Sequence, residues 1–67
     1  MKTRWEESNT TNPQRYDYIE DGIFRAFIYK RENLWYAHVF GKGNSLDTYH
    51  DTLEEAKAVV VALVAMR

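Results

Sequence analysis

The pattern of apolar and polar positions divides the chain into a polar N-terminal part, an aromatic-rich middle and a C-terminal part with helical spacing. Residues 1–14 are polar, show no periodicity and include Pro13, a residue that disfavours both helices and central strands. We therefore predict a flexible N-terminal tail over residues 1–14, followed by a single domain over residues 15–67.

The middle of the chain has the composition of short strands joined by tight turns. The segments YDYIE, IFRAFIYKR and LWYAHVF are rich in β-branched and aromatic residues. Asp21-Gly22 is typical of a two-residue hairpin turn, in which both positions take positive φ. Glu32-Asn33 predicts a second such turn, less favourable because Asn tolerates positive φ better than Glu. Residues 46–50 form either a fourth edge strand or part of a loop, so the order is ββββα or βββα.

A helical period begins after residue 50. Thr52 and Glu55 have the spacing of a capping box at a helix start. The helix is expected to run from Leu53 to near Arg67, and its apolar stripe consists of Leu53, Ala56, Val60, Leu63 and Val64. The predicted fold is therefore α+β: two layers, a three- to four-stranded antiparallel meander and one C-terminal helix packed on one face.

Two-residue turns also predict the strand register, and the register assigns each side chain to one face of the sheet. The face with small residues at its centre is assigned to the helix and contains Ile19, Phe24, Ala26, Ile28, Trp35, Ala37 and Val39. The other face contains Tyr16, Tyr18, Arg25, Phe27, Tyr29, Tyr36, His38 and Phe40. One helix covers only one face, so we predict this second set as a partner-binding surface. A tyrosine-rich face that is merely solvated is the alternative.

Composition sets limits on the stability and location of the protein. A chain of 67 residues forms one domain at most, with a small core. It has no cysteine, which excludes disulfides and thiolate metal sites and leaves self-association or a partner as the remaining source of stability. The N-terminus lacks the apolar run of a signal peptide, and the apolar run over residues 58–66 is too short to cross a bilayer. We expect a cytoplasmic protein with no membrane partner.

The charge of the chain bears on nucleic-acid binding. The formal net charge is −1 and the sequence pI is about 6.1, so bulk charge does not attract nucleic acid. Aromatic residues alternate over residues 25–29, which is superficially similar to sheets that stack RNA bases. A nucleic-acid-binding regulator that uses the aromatic face therefore stays open as the alternative to a protein-binding module.

Catalytic and metal-binding patterns are weak. Ser8 and Ser45 have no plausible histidine and carboxylate partners, and a chain this small has little room for a pocket that excludes water. The histidines at 38 and 50, with the aspartates at 47 and 51, lack a recognised ligand spacing. We predict no enzyme activity, no metal and no cofactor.

Residues 49–57, YHDTLEEAK, form a strand that runs into Thr-Leu-Glu-Glu-Ala and then a helix. This segment resembles the end of the partial double-stranded-RNA-binding-like domain of HicB-type antitoxins, and it is similar to small phage and prophage βββα proteins. Tyr16 and Tyr18 match the tyrosine-rich opening strand of HicB proteins, whereas the separate DNA-binding segment of that family has no counterpart here.

The resemblance implies a compact module that covers a partner protein. A phage-type inhibitor, such as an anti-CRISPR or another anti-defence protein, docks on a larger host complex in that way, alone or as a homodimer. An antitoxin-like regulator is the alternative.

Overall fold

Five strands and one helix make up the part of the chain that the computed structural model describes, residues 2–8, 14–41 and 43–66. The elements are β1 (Thr3–Ser8), β2 (Arg15–Glu20), β3 (Ile23–Arg31), β4 (Leu34–Val39), β5 (Leu46–His50) and α1 (Leu53–Ala65). Every strand pairs antiparallel with its neighbour in the chain, in the order β1-β2-β3-β4-β5. The predicted α+β meander with one C-terminal helix is confirmed, with five strands rather than three to four.

The additional strand is β1, in the segment that we expected to be a tail. Trp5 lies opposite Tyr18 in the register, and the two ring centroids are 4.8 Å apart. The expectation of a flexible tail over residues 1–14 is therefore wrong for Thr3–Ser8, while residues 9–13 lie outside the described residues. Because TRWEES contains a single large apolar residue, no alternation of apolar side chains marks it as a strand.

Both predicted turns form. Asp21 and Gly22 take φ of 51° and 80°, as the two-residue hairpin turn requires. Asp21 also fixes the start of β1, since its amide donates to the Lys2 carbonyl at 2.7 Å and its carboxylate accepts from the Lys2 amide at 2.9 Å. In the second turn the positive φ, 58°, falls on Glu32.

A β-bulge changes the register between β2 and β3. Ile19 lies opposite Phe24, as the turn predicts, but Tyr18 lies opposite Ala26 instead of Arg25. The register shift leaves Arg25 as the extra residue of β3. Because successive side chains alternate between the two faces, one extra residue reverses the faces of all the positions beyond it.

The shift overturns five predicted face assignments, those of Tyr16, Tyr18, Ile19, Phe24 and Arg25. Tyr16 and Tyr18 belong to the helix side, where Tyr18 is buried and Tyr16 packs against the core. Phe24 belongs to the opposite side, since its ring contacts those of Phe27 and Phe40. Ile19 lies opposite Phe24 and follows the buried Tyr18, so it belongs to the side opposite the helix. The turn alone could not reveal these placements, because the bulge lies beyond it in the ladder.

The core lies between the sheet and α1. Its buried side chains are Tyr18, Ala26, Ile28, Ala37, Val39, Ala56, Val60 and Val64. Ala26 and Ala37 are fully buried, which agrees with the expectation that small residues let the helix approach the sheet closely. The predicted helix stripe is confirmed, with Leu53 and Leu63 packed at its border. Helix α1 packs on β4, β5 and β3.

Thr52 caps α1 as predicted, since its hydroxyl accepts from the Glu55 amide at 3.1 Å. The Glu55 carboxylate lies 3.0 Å from Nδ1 of His50, and Nε2 of His50 lies 2.8 Å from the Thr48 hydroxyl. These contacts join the end of β5 to the start of the helix. Among the described residues, no helix has the length and apolar character needed to span a bilayer.

Candidate functional site

The side of the sheet opposite α1 carries an aromatic surface built by alternation along three strands. Phe27 lies opposite His38 and Tyr29 opposite Tyr36 in the β3–β4 ladder. The β4–β5 ladder continues the row by placing Tyr49 opposite Tyr36. We call this surface the aromatic face; it comprises Phe24, Phe27, Tyr29, Tyr36, His38, Phe40 and Tyr49. Within the described ranges no strand or helix lies over it, since α1 packs on the other side.

Phe27 is the centre of the aromatic face, because it lies in β3, the middle strand of the sheet. The nearest ring centroid is that of His38, at 5.2 Å. Other rings surround Phe27 at 5.9 to 6.2 Å, those of Phe24, Tyr29, Tyr36 and Phe40. The rings therefore pack on one another, and those of Phe27, Tyr29, Tyr36, His38 and Phe40 are half-buried although no described strand or helix lies over them, which produces a preformed surface.

Arg15, in β2, extends over this cluster. Its guanidinium carbon lies 4.4 Å from the ring centroid of Phe27 and 5.4 Å from that of Phe24. Its Nε donates to the Asp17 carboxylate at 2.7 Å. The guanidinium thus covers part of the apolar cluster, and a carboxylate on the same strand balances its charge.

The predicted arginine of this surface, Arg25, is placed elsewhere. Its Nε donates to the Glu20 carboxylate at 3.1 Å. Glu20 lies two residues beyond Tyr18 in β2, and so on the helix side of the sheet. The role that we expected for Arg25, next to the aromatic rings, is filled by Arg15.

Three polar groups at the β4–β5 border bond to one another. The Tyr36 hydroxyl donates to Oδ1 of Asp47 at 2.8 Å, and Nδ1 of His38 lies 2.5 Å from the same oxygen. Burial, followed by this hydrogen bond, raises the pKa of Tyr36 to about 12. The hydrogen bond from His38, followed by that from Tyr36, holds the pKa of Asp47 below its usual 3.8. At neutral pH Tyr36 is therefore protonated and Asp47 is ionised.

Tyr36, His38 and Asp47 form a hydrogen-bonded group that stabilises the arrangement of their side chains on the surface. Oδ1 of Asp47 accepts from two neighbours on the same surface, which fixes the planes of the Tyr36 and His38 rings. The described residues contain no group of three or more histidine, aspartate or glutamate side chains placed to hold a metal ion.

Ion pairs border the aromatic face along β1 and β2. Glu6 lies opposite Asp17, which lies opposite Phe27, so these three side chains share one side of the sheet. Arg4 pairs with Glu6 at 2.7 Å, just as Arg15 pairs with Asp17 at 2.7 Å. In both strands an arginine is followed two residues later by its carboxylate partner, so this border carries no excess of either charge.

The eight residues predicted as partner-binding therefore divide into two groups. Those brought together on the aromatic face are Phe27, Tyr29, Tyr36, His38 and Phe40. Those placed elsewhere are Tyr16, Tyr18 and Arg25. The prediction omitted Phe24 and Tyr49, which belong to the face, and Arg15 and Asp47, whose side chains contact it. Continuing the alternation of β4 into β5 would have found Asp47 and Tyr49, whereas Arg15 and Phe24 depend on the bulge.

Tyr16 and Tyr18, which we predicted as partner-binding residues, belong to a second aromatic group on the helix side of the sheet. The Nζ of Lys57 lies 4.8 Å from the Tyr16 ring and 5.4 Å from the Trp5 ring. Burial, with the charge of Glu7 and a hydrogen bond to it, raises the pKa of Tyr16. This group covers the part of β1 and β2 next to the helix, so its aromatic residues serve the fold.

Neither a protein-family model, nor a curated protein, nor a solved structure matches the chain significantly. The geometry of the aromatic face is thus the feature from which a function can be proposed.

Proposed function

We propose that this protein is a non-catalytic protein-binding module whose contact surface is the aromatic face. The observation that carries the proposal is the set of packed rings around Phe27, on the side of the sheet that no described element covers. Contiguous apolar surface on a small protein marks interaction sites. Tyrosine and arginine, represented here by Tyr29, Tyr36, Tyr49 and Arg15, are enriched among residues that dominate binding energies.

The charge at the border of the face favours a protein partner over a nucleic acid. Binding to phosphates depends on lysine and arginine side chains that replace condensed counterions. Arg4 and Arg15 already have carboxylate partners at 2.7 Å. A neutral apolar surface of this kind suits a protein surface of similar character.

The polar network fits the same proposal. The Tyr36 hydroxyl and the Asp47 carboxylate are hydrogen-bonded to each other. A partner that covers this region therefore does not leave the Tyr36 hydroxyl or Oδ1 of Asp47 without a hydrogen bond, which lowers the cost of covering them.

The mode of action that we propose is docking on a larger protein assembly as an inhibitor or regulator. This narrower proposal rests on the resemblance to small phage βββα proteins, whereas protein binding itself rests on the aromatic face.

A second candidate function is base stacking on the rings. The rings of Phe27 and Tyr29 have centroids 6.0 Å apart and planes only 11° from parallel. Aromatic rings on an open sheet face are a common platform for single-stranded nucleic acid. Binding of single-stranded DNA or RNA at low salt, lost when the rings are replaced, would favour this candidate.

Affinity capture with matched variants tests the proposal. One variant carries Phe24→Lys and Tyr49→Lys, at positions 40% and 51% exposed on the aromatic face. The control carries Val61→Lys and Leu46→Lys, at positions 42% and 52% exposed on α1 and on the helix side of β5. Wild type and control should capture the same protein and the first variant should not. Equal capture by both variants contradicts the proposal.

A further inference from the structure

We infer that the aromatic face binds a second copy of this chain, so that two sheets pack face to face in a homodimer. The inference rests on the proposed function and makes a second copy of the chain, rather than another protein, the partner of the aromatic face; docking on a larger assembly would then use another surface of the dimer. Three properties of the face carry it: its charge balance, its size and its position on an open sheet, on which a second sheet can pack.

The charge distribution makes the face compatible with itself. When a surface meets its own copy, any net charge on it repels the same charge on the partner. Here Arg4 and Arg15 each pair at 2.7 Å with a carboxylate two residues along the same strand. By alternation Arg31 also lies on this side of the sheet, and its charge offsets that of the ionised Asp47. The formal charges on this side of the sheet therefore cancel, so that the face carries no net charge to repel its own copy.

The outline of the molecule sets an upper limit on the area that the face can bury in a dimer. The molecule extends over 30 × 21 × 21 Å, so its broadest section has a projected area of roughly 600 Å². Two such surfaces together bury about 1,200 Å² when the whole section takes part. That value lies at the lower limit of specific protein interfaces, which requires most of the aromatic face to take part.

The two sheets of such a dimer would pack face to face as the sheets of a β-sandwich do. Two sheets pack about 10 Å apart, with the side chains of their inner faces interdigitated. Phe27, at the middle of the middle strand, would lie near the centre of the interface. Oligomerisation is one way in which a small domain gains core, and a chain of 67 residues without cysteine has no disulfide to serve the same purpose.

Sedimentation equilibrium of the full chain, from about 5 to about 500 µM, tests the inference. The wild type should reach twice the chain mass of 8.0 kDa. Tyr49→Lys and Phe24→Lys should each raise the dimer dissociation constant at least about tenfold, because each buries an ammonium group in an apolar interface. Leu46→Lys and Val61→Lys lie at similarly exposed positions away from the face. They should change the dimer dissociation constant by less than about threefold.

Circular dichroism confirms that each variant is folded before its mass is measured. A wild type that stays at 8.0 kDa throughout overturns the inference but leaves the proposed function to the capture experiment. A dimer that all four variants weaken equally, or that only Leu46→Lys or Val61→Lys disrupts, also overturns it, because the interface then lies elsewhere.

Discussion

Arg15 holds its guanidinium carbon 4.4 Å from the centroid of the Phe27 ring while its Nε donates to Asp17. The side chain is therefore fixed by a flat apolar contact on one side and a hydrogen bond on the other. Its planar guanidinium suits both contacts, whereas an ammonium is a more strongly hydrated point charge. This contact connects β2 to the aromatic cluster of β3.

Arg15→Lys should lower the free energy of unfolding by about 0.5–1 kcal/mol, because the stacked contact with Phe27 is lost. Arg4→Lys is the matched control, since Arg4 has the same kind of carboxylate partner and its side chain is 64% exposed. Urea denaturation measures both. Equal effects of the two substitutions would show that the ring contact adds nothing to stability.

Trp5→Ala should destabilise the protein by roughly 2 kcal/mol or more, because the Trp5 ring packs on Tyr18 under the Lys57 ammonium. Amide hydrogens of β1 should then exchange with solvent faster than those of β3. Glu6→Ala, on the opposite side of β1, should change stability by less than about 0.5 kcal/mol. Normal protection of β1 in Trp5→Ala would contradict the packing role of this residue.

Gly41→Ala should destabilise the domain by about 1–3 kcal/mol, because a Cβ atom at this position would lie 2.2 Å from the Asn44 carbonyl oxygen. Gly43→Ala is the comparison: its Cβ would meet no atom within 4 Å, and only its φ of 83° opposes the change. That strain costs about 1–2 kcal/mol. Thermal unfolding of the two variants measures the difference, and a Gly41→Ala protein as stable as the wild type would show that this loop shifts freely.

The hydrogen bond between Tyr36 and Asp47 predicts how the stability changes at alkaline pH and how the pKa of Tyr36 responds to a substitution of Asp47. The pKa of Tyr36, about 12, lies above its unfolded value of 10.0, so its contribution to stability is complete below pH 10.0 and is lost as the pH rises towards 12. Asp47→Asn removes the charged acceptor, so the pKa of Tyr36 should fall but stay above 10.0, because burial is the larger cause. Difference titration at the tyrosinate absorption band against Tyr36→Phe measures this pKa. An unchanged pKa in Asp47→Asn would exclude the hydrogen bond.

In acid the same network acts through Asp47. The pKa of its carboxyl is below the unfolded value of 3.8, so its contribution to stability is present above pH 3.8 and is lost as the pH falls through the folded pKa. Stability of the wild type should therefore decline more steeply between about pH 5 and about pH 2 than that of Asp47→Asn. Parallel urea titrations across that range compare the two slopes, and equal slopes would contradict the lowered pKa.

The sequence predicted the features that depend on local chemistry. The turn at Asp21-Gly22, the Thr52 cap and the buried stripe of α1 follow from turn residues, capping and helical spacing, and all three are present. The part of the aromatic face that lies between β3 and β4 was also predictable, because the turn at Glu32 sets that register without a bulge.

The remaining features depend on contacts between distant segments. The bulge opposite Tyr18 places that side chain in the core, and no local residue pattern distinguishes it from a regular ladder. Strand β1 forms by pairing with the free edge of β2, and Trp5 is its only large apolar residue, so its hydrophobic pattern is too weak to predict it. The bulge changed which residues belong to the aromatic face, and β1 changed which residues border it.

The most direct measurement of the central claim is the solvent accessibility of individual side chains in the free and bound states. Paramagnetic relaxation by a soluble probe reports it for the ring protons of Phe24 and Tyr49 and for the methyl groups of Leu46 and Val61. The bound state is either the homodimer at high protein concentration or the complex with the protein captured by affinity. We predict that the ring protons lose their accessibility on binding while the methyl groups keep theirs. Ring protons that stay equally accessible in the bound state would contradict the claim that the aromatic face is the contact surface.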